Sequence, residues 1–239
     1  MDRWEPATIP MFPLGRALLP GESLPLRIFE PRYRMLLTDT LDEYRTLLDR
    51  REEDPRAPEP VLRPPGFGVV LISQGHEVGG GDARYDIGTY ADIAQMSRRP
   101  DGQAALSCVG GNRFRVVEWL PEAPYPRATV QPLPTPPVTV EHRAAFGLLC
   151  ARVVTLLEDF ADDRGVAAIE LNPVERLVID LTSLDADLAV ELGVAGWAAR
   201  LPIGSSDRQS VLEADDADTQ LRILDDAIDG LAAAVAFSK

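Results

Sequence analysis

The chain has 239 residues, of which 45% are hydrophobic and 26% charged, and a formal net charge of -14 at pH 7. This composition is ordinary for a soluble globular protein, and such an acidic surface repels phosphate backbones, which argues against nucleic-acid binding. No apolar run approaches the ~20 residues that span a bilayer, and the first residues include acids and prolines where a signal peptide needs basic and then apolar residues. A cytoplasmic protein that does not bind membranes is therefore expected.

The first half of the chain has a pattern typical of β structure. Short apolar and β-branched runs are separated by Pro- and Gly-containing turn signals, which favours a barrel or sandwich over a parallel α/β sheet. The runs are Thr8–Leu14, Leu24–Phe29, Phe67–Ile72, Arg84–Ile93, Ala104–Val109, Arg113–Trp119 and Pro126–Pro132. Gly110, Gly111 and Asn112 separate two of these runs, which predicts a tight turn and a hairpin from Cys108 to Trp119.

One helix is predicted within this β-rich half. Pro31 suits the first turn of a helix, and apolar side chains then recur at intervals of three and four residues. These side chains are Tyr33, Leu36, Leu37, Leu41, Tyr44, Leu47 and Leu48. The charged, proline-rich residues that follow predict a mobile insertion over about 50–66.

The periodicity becomes helical beyond the proline-rich stretch 131–140. An apolar stripe from Phe146 to Phe160 predicts one helix, and Ala186–Leu201 and Asp207–Glu213 predict two more. A last helix has an apolar seam of Leu221, Leu224, Ile228, Leu231 and Val235, with Asp215–Asp218 at its start. The sequence therefore predicts two domains: residues 1–137, rich in β structure, and residues 138–239, a helical bundle.

Several residues are of types that often bind metals or act in catalysis, but we expect them to be structural or merely exposed to solvent. Cys108 and Cys150 lie in apolar segments, which predicts two buried free thiols. The two cysteines and two histidines are too far apart in sequence for paired metal-ligand spacing, so neither a metal nor a cofactor is expected. His76 and His142 are interpreted as exposed polar residues, and the pair Asp82 and Asp86 as solvated acids near a Gly-rich turn rather than as a catalytic acid and base.

The scarcity of lysine excludes two kinds of catalytic site. Lys239 is the last residue and the only lysine of the chain. A phosphate-binding P-loop needs a lysine after a glycine-rich loop, and a Ser–Lys pair needs a buried, desolvated lysine. The chain also lacks a G-x-S-x-G nucleophile motif. We therefore expect no ATPase, no serine–lysine protease and no other enzyme within these residues.

A long ordered pattern is more specific than any of these features. Residues 9–37, IPMFPLGRALLPGESLPLRIFEPRYRMLL, contain P-x-F-P-L-G, then L-x-P-G, then L-P-L-x-I-F-E-P-R-Y. Further pieces follow in order: FGVVLI (67–72), EVGGG with YDIGTYADI (77–93), PDGQAALSCVGGNRFRVVEW (100–119) and LPIGSSDRQSVLEADDADTQLRILDDAI (201–228). From about residue 8 to 230 the chain resembles the Lon N-terminal (substrate-recognition) domain. Two segments depart from that pattern, since 38–66 is longer and 166–200 matches poorly.

The resemblance implies an α+β fold, in which a PUA-like β pseudo-barrel is followed by a helical bundle. It gives structural roles to the motif residues Pro13, Gly15, Pro20, Gly21, Gly88, Arg113 and Phe114. It also implies a non-catalytic module for protein quality control, such as an adaptor, which binds unfolded or degron-bearing polypeptides and cooperates with a protease. The alternatives are a small-molecule-binding PUA-like protein, an RNA binder, against which the charge argues, and an enzyme with an unforeseen carboxylate pair. A deep polar pocket would favour a small molecule, whereas a shallow apolar groove would favour polypeptides.

The candidate polypeptide-binding residues fall in two groups. The first is Phe29, Glu30, Pro31, Arg32 and Tyr33, where a strand turns into a helix. The alternative to ligand binding is a structural role for these residues. Phe29 would then lie in the core, and Glu30 would either pair with Arg32 or cap the helix.

The second group is Leu41 and Tyr44, with Leu47, on the long helix. Elsewhere, Arg113 and Arg115 flank Phe114, so a strand with one charged and one apolar face is predicted. Arg113 is expected to pair with an acid inside the fold rather than to contact a ligand.

Overall fold

The structure is a computed structural model that describes residues 6–53, 64–74, 83–164 and 186–237. The chain divides between Pro134 and Thr135 into two compact units, at a point within the proline-rich stretch. None of the described helices combines the length and the apolar character that a membrane span requires. Several predictions lie outside the described residues: those for His76, for Asp82 and the glycines 79–81, for residues 54–63 of the expected insertion, and for residues 165–185.

The first unit is built on six strands and one helix. The strands are β1 (Ala7–Leu14), β2 (Ser23–Ile28), β3 (Gly66–Gln74), β4 (Ala83–Arg98), β5 (Ala104–Leu120) and β6 (Arg127–Pro132). The helix, α1, spans Pro31–Glu53, so it begins at the predicted proline and runs three residues beyond the expected start of the insertion.

The sheet closes on itself. Its strand order is β2-β5-β4-β3-β1-β6, and β5 also pairs with β6, so five strands form a ring to which β2 adds along the first half of β5. The pairing of β1 with β3 is parallel, and the other pairings are antiparallel. Ring closure removes most exposed strand edges and encloses a core between the strands.

The predicted hairpin from Cys108 to Trp119 is wrong, because β5 runs straight through Gly110, Gly111 and Asn112. The register with β4 shifts there, from Ala91 opposite Gly110 to Thr89 opposite Arg113, which identifies a bulge with one extra residue in β5. A Cβ on Gly110 would lie 2.2 Å from the carbonyl oxygen of Leu19. These glycines therefore serve a bulge and a close backbone approach rather than a turn.

The loop between β1 and β2 is fixed against this bulge. Leu19, Pro20, Gly21 and Glu22 form a turn in which Glu22 N donates to Leu19 O, with Gly21 at a φ of 73°. Proline followed by glycine at the two central positions is the composition that a type II turn requires. Gly21 N donates to Gly110 O and Gly110 N to Glu22 O, which joins the turn to β5.

The helix α1 packs on the core of the first unit through Tyr33, Leu36 and Leu37, each less than 5% exposed. The ring of Tyr33 stacks on that of Phe12, with centroids 4.1 Å apart. Cys108 is also buried in this core, and Cys150 is buried in the second unit. The prediction of two buried free thiols is confirmed, and burial raises the pKa of each to about 12.

The second unit contains four described helices: α2 (Val140–Arg164), α3 (Ala186–Ala198), α4 (Ser205–Glu213) and α5 (Ala217–Phe237). Within the described part of the predicted apolar stripes, Phe146 and Val153 of α2 and Leu224 and Ile228 of α5 are buried. The rings of Phe146 and Trp197 lie 4.9 Å apart. The expected α+β fold, strands first and helices afterwards, is confirmed.

Two helices of this unit, α2 and α5, begin with side-chain caps. Thr139 N donates to His142 Nδ1 and His142 N to Thr139 Oγ1, a reciprocal arrangement at the start of α2. Asp216 accepts from Thr219 N and Oγ1 at the start of α5.

The predicted continuous helix Ala186–Leu201 is wrong in one respect, because Gly193, at a φ of 61°, interrupts it. A residue with this φ cannot continue a right-handed helix.

Candidate functional site

Some candidates of the first group, in the segment where β2 leads into α1, are exposed and others are buried. Phe29 is 56% exposed, so its predicted place in the core is wrong. The strand β2 ends at Ile28, which is buried, and the next side chain of an extended chain points to the opposite side. Tyr33 belongs to the core, whereas Pro31 is exposed.

The predicted ion pair between Glu30 and Arg32 is confirmed, with Arg32 Nε 3.0 Å from Glu30 Oε2. Arg32 Nη1 also lies 3.9 Å from Glu122 Oε2, and Glu122 in turn pairs with Arg84 of β4. The guanidinium of Arg84 lies over the ring of Trp119, 4.8 Å from its centroid. Glu30 and Arg32 therefore belong to an ionic cluster that holds the start of α1 against β4 and the end of β5.

The resemblance-derived motif residues occupy structural positions. Pro13 is buried in β1, Gly15 follows that strand, and Pro20 and Gly21 make the turn described above. A Cβ on Gly88 would lie 2.2 Å from the carbonyl oxygen of Val69, so the neighbouring strand requires a glycine there.

Arg113 is also interior, at 3% exposure. Its Nε and Nη2 donate to Pro134 O over 3.0 and 2.9 Å. The predicted alternation is confirmed: Phe114 is buried on the apolar face, and Arg113 and Arg115 lie on the other face, where Arg113 is buried and Arg115 is exposed. The chain after β6 covers the Arg113 side, where Leu133 N donates to Arg113 O. Burial at this depth is incompatible with direct contact between Arg113 and a ligand.

A groove runs between α1 and the first half of β1. It has a volume of about 320 Å³, and we call it the α1–β1 groove. Its lining residues are Ala7, Thr8, Ile9 and Pro10 of β1, Thr40, Glu43, Tyr44 and Leu47 of α1, Pro64, Pro65 and Gly66 at the start of β3, and Tyr90 of β4. The helical members follow the spacing i, i+3, i+4 and i+7, which puts them on one face of α1.

The floor of the groove depends on a glycine. A Cβ on Gly66 would lie 2.6 Å from Cε1 of Tyr90 and 2.3 Å from the carbonyl oxygen of Ala91. Gly66 therefore lets the Tyr90 ring lie directly over the β3 backbone, where it forms part of an apolar surface.

Of the second group of candidates, the structure brings Tyr44 and Leu47 to the groove and not Leu41, which packs partly against the core. The sequence interpretation missed Thr40 and Glu43, although their helical spacing from Tyr44 was a usable signal. It also missed the residues from β1, β3 and β4. No local signal could have identified these, because the groove is formed by strand pairings distant in sequence.

Two polar side chains on α1 face this groove. Glu43 is exposed and is the charged residue of the lining. Thr40 is 6% exposed, and its Oγ1 has no hydrogen-bond partner among the described residues. Thr38 and Thr46 on the same helix, by contrast, donate to the carbonyls of Arg34 and Asp42.

The helical unit has a cleft of its own between α4 and α5, of about 390 Å³. Its lining includes Gly204, Asp207 and Ser210 near the start of α4 and Asp226 on α5. The acidic side chains give it a more polar character than the α1–β1 groove. Within the described part of the chain, no group of three or more His, Cys, Asp or Glu side chains could hold a metal ion.

Comparisons with known proteins agree with this architecture. A family model described as the ATP-dependent protease La (LON) substrate-binding domain matches residues 8–229. Lon protease 2 of Herpetosiphon aurantiacus is 30% identical over 149 residues, which make up 59% of this chain and only 16% of that protein.

Two solved structures are similar over nearly the whole chain. The Lon N-terminal domain protein from Xanthomonas campestris has 25% identity and a TM-score of 0.51, with 91% of this chain and 96% of that chain covered. The N-terminal domain of the Mycobacterium avium complex Lon protease has 18% identity and a TM-score of 0.52, with 93% and 98% covered, which supports the fold. The chain therefore belongs to the family of the ATP-dependent protease La (Lon) substrate-binding domain.

Proposed function

We propose that this chain is a recognition module that binds unfolded or degron-bearing polypeptides and neither hydrolyses ATP nor cleaves peptide bonds. The observation that carries the proposal is the α1–β1 groove in a member of a substrate-binding domain family. An adaptor role beside a separate protease, in the cytoplasm, completes the proposal.

The character of the groove supports a polypeptide as the ligand. Most of its side chains are apolar, including Ile9, Tyr44, Leu47 and Tyr90, and it is partly open to solvent. Apolar surface of this kind suits the side chains that a folded protein hides and an unfolded one exposes. A small-molecule site, the alternative, usually encloses its ligand and directs several polar groups at it.

Exposed apolar side chains near the start of α1 extend the proposal beyond the groove. Phe29 is 56% exposed and Met35 50% exposed. We propose that Phe29 contributes a direct contact. Glu30 and Arg32 keep the start of α1 in position through the ionic cluster. Tyr33 does so by packing in the core. Pro31 starts the helix, and Leu41 supports it from within.

The test is a titration of a permanently unfolded client, such as reduced and carboxymethylated α-lactalbumin, followed by fluorescence anisotropy without ATP. Leu47→Ala removes an apolar side chain from the groove, whereas Leu48→Ala removes the next side chain, which does not line it. We expect micromolar binding by the wild type and a loss of about tenfold for Leu47→Ala alone, since burying a leucine contributes roughly 1.5–3 kcal/mol. No binding by the wild type, or equal losses in the two variants, would overturn the proposal.

A further inference from the structure

We infer that the α1–β1 groove selects extended polypeptide segments in which apolar side chains are flanked by arginine or lysine, and that Glu43 recognises the positive charge. This inference rests on the proposed function and adds the class of segment that is bound.

The one charged side chain in the described lining of the groove is an acid. Glu43 is the charged residue of the lining, and it forms no ion pair within the described part of the chain. Its neighbour Asp42 differs, because Arg45 Nη1 lies 2.9 Å from Asp42 Oδ1. Asp39, one turn before Glu43, accepts a hydrogen bond from Tyr125, and Arg127 nearby on β6 is not a lining residue. A cationic side chain of the ligand would therefore meet an unpaired carboxylate at the rim.

Three prolines leave the main chain of the groove walls short of hydrogen-bond donors, whereas the side-chain hydroxyls of the lining can both donate and accept. Pro10, Pro64 and Pro65 have no backbone N–H, so their main chain offers only carbonyl oxygens. One of these, Pro65 O, already accepts from Ile93 N over 2.8 Å. Guanidinium and ammonium groups carry only donors, and the backbone N–H groups of an extended segment add more. The hydrogen-bonding groups and the charge thus favour the same ligand.

The shape of the groove suits an extended segment. The first half of β1, from Ala7 to Pro10, pairs with β6 on one side, while its described pairing with β3 begins only at Met11. On the other side, Pro64, Pro65 and Gly66 line the groove together with Ala7–Pro10, so the groove is a narrow slot with a chain segment on each side. A volume of about 320 Å³ holds a few side chains and no folded domain.

The net charge of -14 acts in the same direction at longer range. An acidic protein attracts positively charged segments and speeds their association, an effect that salt weakens. Glu43 is expected to add a local preference to this general attraction. The experiment must therefore separate the two effects.

The test uses two fluorescein-labelled synthetic peptides with the same apolar core of leucine, valine and phenylalanine. One is flanked on both sides by arginine and the other by glutamate. With the full chain at low salt, we expect the arginine-flanked peptide to bind at least about tenfold more tightly. Glu43→Gln should reduce that preference about fivefold, as expected for one rim charge pair. Asp42→Asn makes the same charge change one residue away, outside the groove, and should leave the preference nearly unchanged.

The possible outcomes distinguish failure of the role of Glu43 from failure of the proposed function. Equal binding of the two peptides, or equal effects of Glu43→Gln and Asp42→Asn, would overturn the role of Glu43 while leaving the proposed function intact if Leu47→Ala still weakens client binding. Failure of both peptides and of the unfolded client to bind would overturn the proposed function as well. Sedimentation that shows self-association abolished by Glu43→Gln, without peptide binding, would identify a second copy of the chain as the occupant and would also overturn the inference.

Discussion

The hydroxyl of Tyr125 donates a hydrogen bond of 2.8 Å to Asp39 Oδ2 and thereby joins the segment between β5 and β6 to the helix α1. Burial opposes loss of the phenolic proton, and the Asp39 carboxylate opposes it further through this bond and through its charge. Together they raise the pKa of Tyr125 from 10.0 to about 12. The contact is distinctive because Asp39 lies on the same helix as the groove residues Thr40 and Glu43.

Tyr125→Phe should lower the free energy of unfolding by about 1–3 kcal/mol, the usual contribution of a hydrogen bond to a charged acceptor. Between pH 10 and pH 12 the unfolded chain releases this proton while the folded chain retains it, so the wild type should lose stability as the pH rises. The variant lacks this component. Urea unfolding of both proteins across this pH range measures the difference, and identical pH slopes would contradict the prediction.

Thr40→Val should stabilise the protein by about 1 kcal/mol, because it removes a buried hydroxyl with no partner among the described residues and retains the shape of the side chain. Thr38→Val is the matched control on the same helix. The Thr38 hydroxyl is exposed and donates to Arg34 O, so its loss should give no gain. Denaturant midpoints at constant slope provide the comparison, and a destabilised Thr40→Val would show that the hydroxyl has a partner in the folded protein.

Gly110→Ala should destabilise the fold by about 1–3 kcal/mol or prevent folding, because the new Cβ would lie 2.2 Å from Leu19 O in the bulge of β5. Gly147→Ala makes the same change in α2, where nothing lies within 4 Å of the added atom. Alanine in a helix should there add about 0.5–1 kcal/mol. Opposite shifts in thermal midpoint are expected, and a tolerated Gly110→Ala would contradict the close approach of the β1–β2 turn.

The two thiols should resist alkylation in the folded protein. Burial raises the pKa of Cys108 and Cys150 from 9.0 to about 12, with Asp92 adding to the effect at Cys108. Because the thiolate is the reactive form, iodoacetamide near pH 8 should modify neither residue until the chain unfolds. Mass spectrometry across a urea series should show the labelling of each cysteine following the unfolding of its own unit. Rapid labelling of either thiol in the absence of urea would argue against its burial.

The strand positions and the start of α1 could be predicted from the sequence because they depend on local patterns of apolar residues, proline and glycine. The bulge in β5 could not, since Gly110 and Gly111 have the composition of a turn and only the approach of Leu19 gives them another role. Phe29 was misassigned for a related reason. Whether an apolar residue at the end of a strand faces the core or the solvent cannot be predicted until the last residue of the strand is known, and β2 ends at Ile28.

The candidate site was predictable only along α1. Tyr44 and Leu47 belong to a helical periodicity that is visible in the sequence. Pro10, Pro64 and Tyr90 reach the same groove through strand pairings, and no spacing in the sequence encodes their proximity. The ion pair of Glu30 and Arg32 was predictable because its partners are two residues apart.

The position of β1 between β3 and β6 has a consequence for biosynthesis. Ala7 pairs with Val130, so β1 leaves the ribosome well before β6 and lacks that neighbour until β6 has been made. Pairings between residues so distant in sequence slow folding, because a long loop must close before its contacts form. The nascent β1, with its apolar residues uncovered, would meanwhile resemble the unfolded clients that the finished domain is proposed to bind.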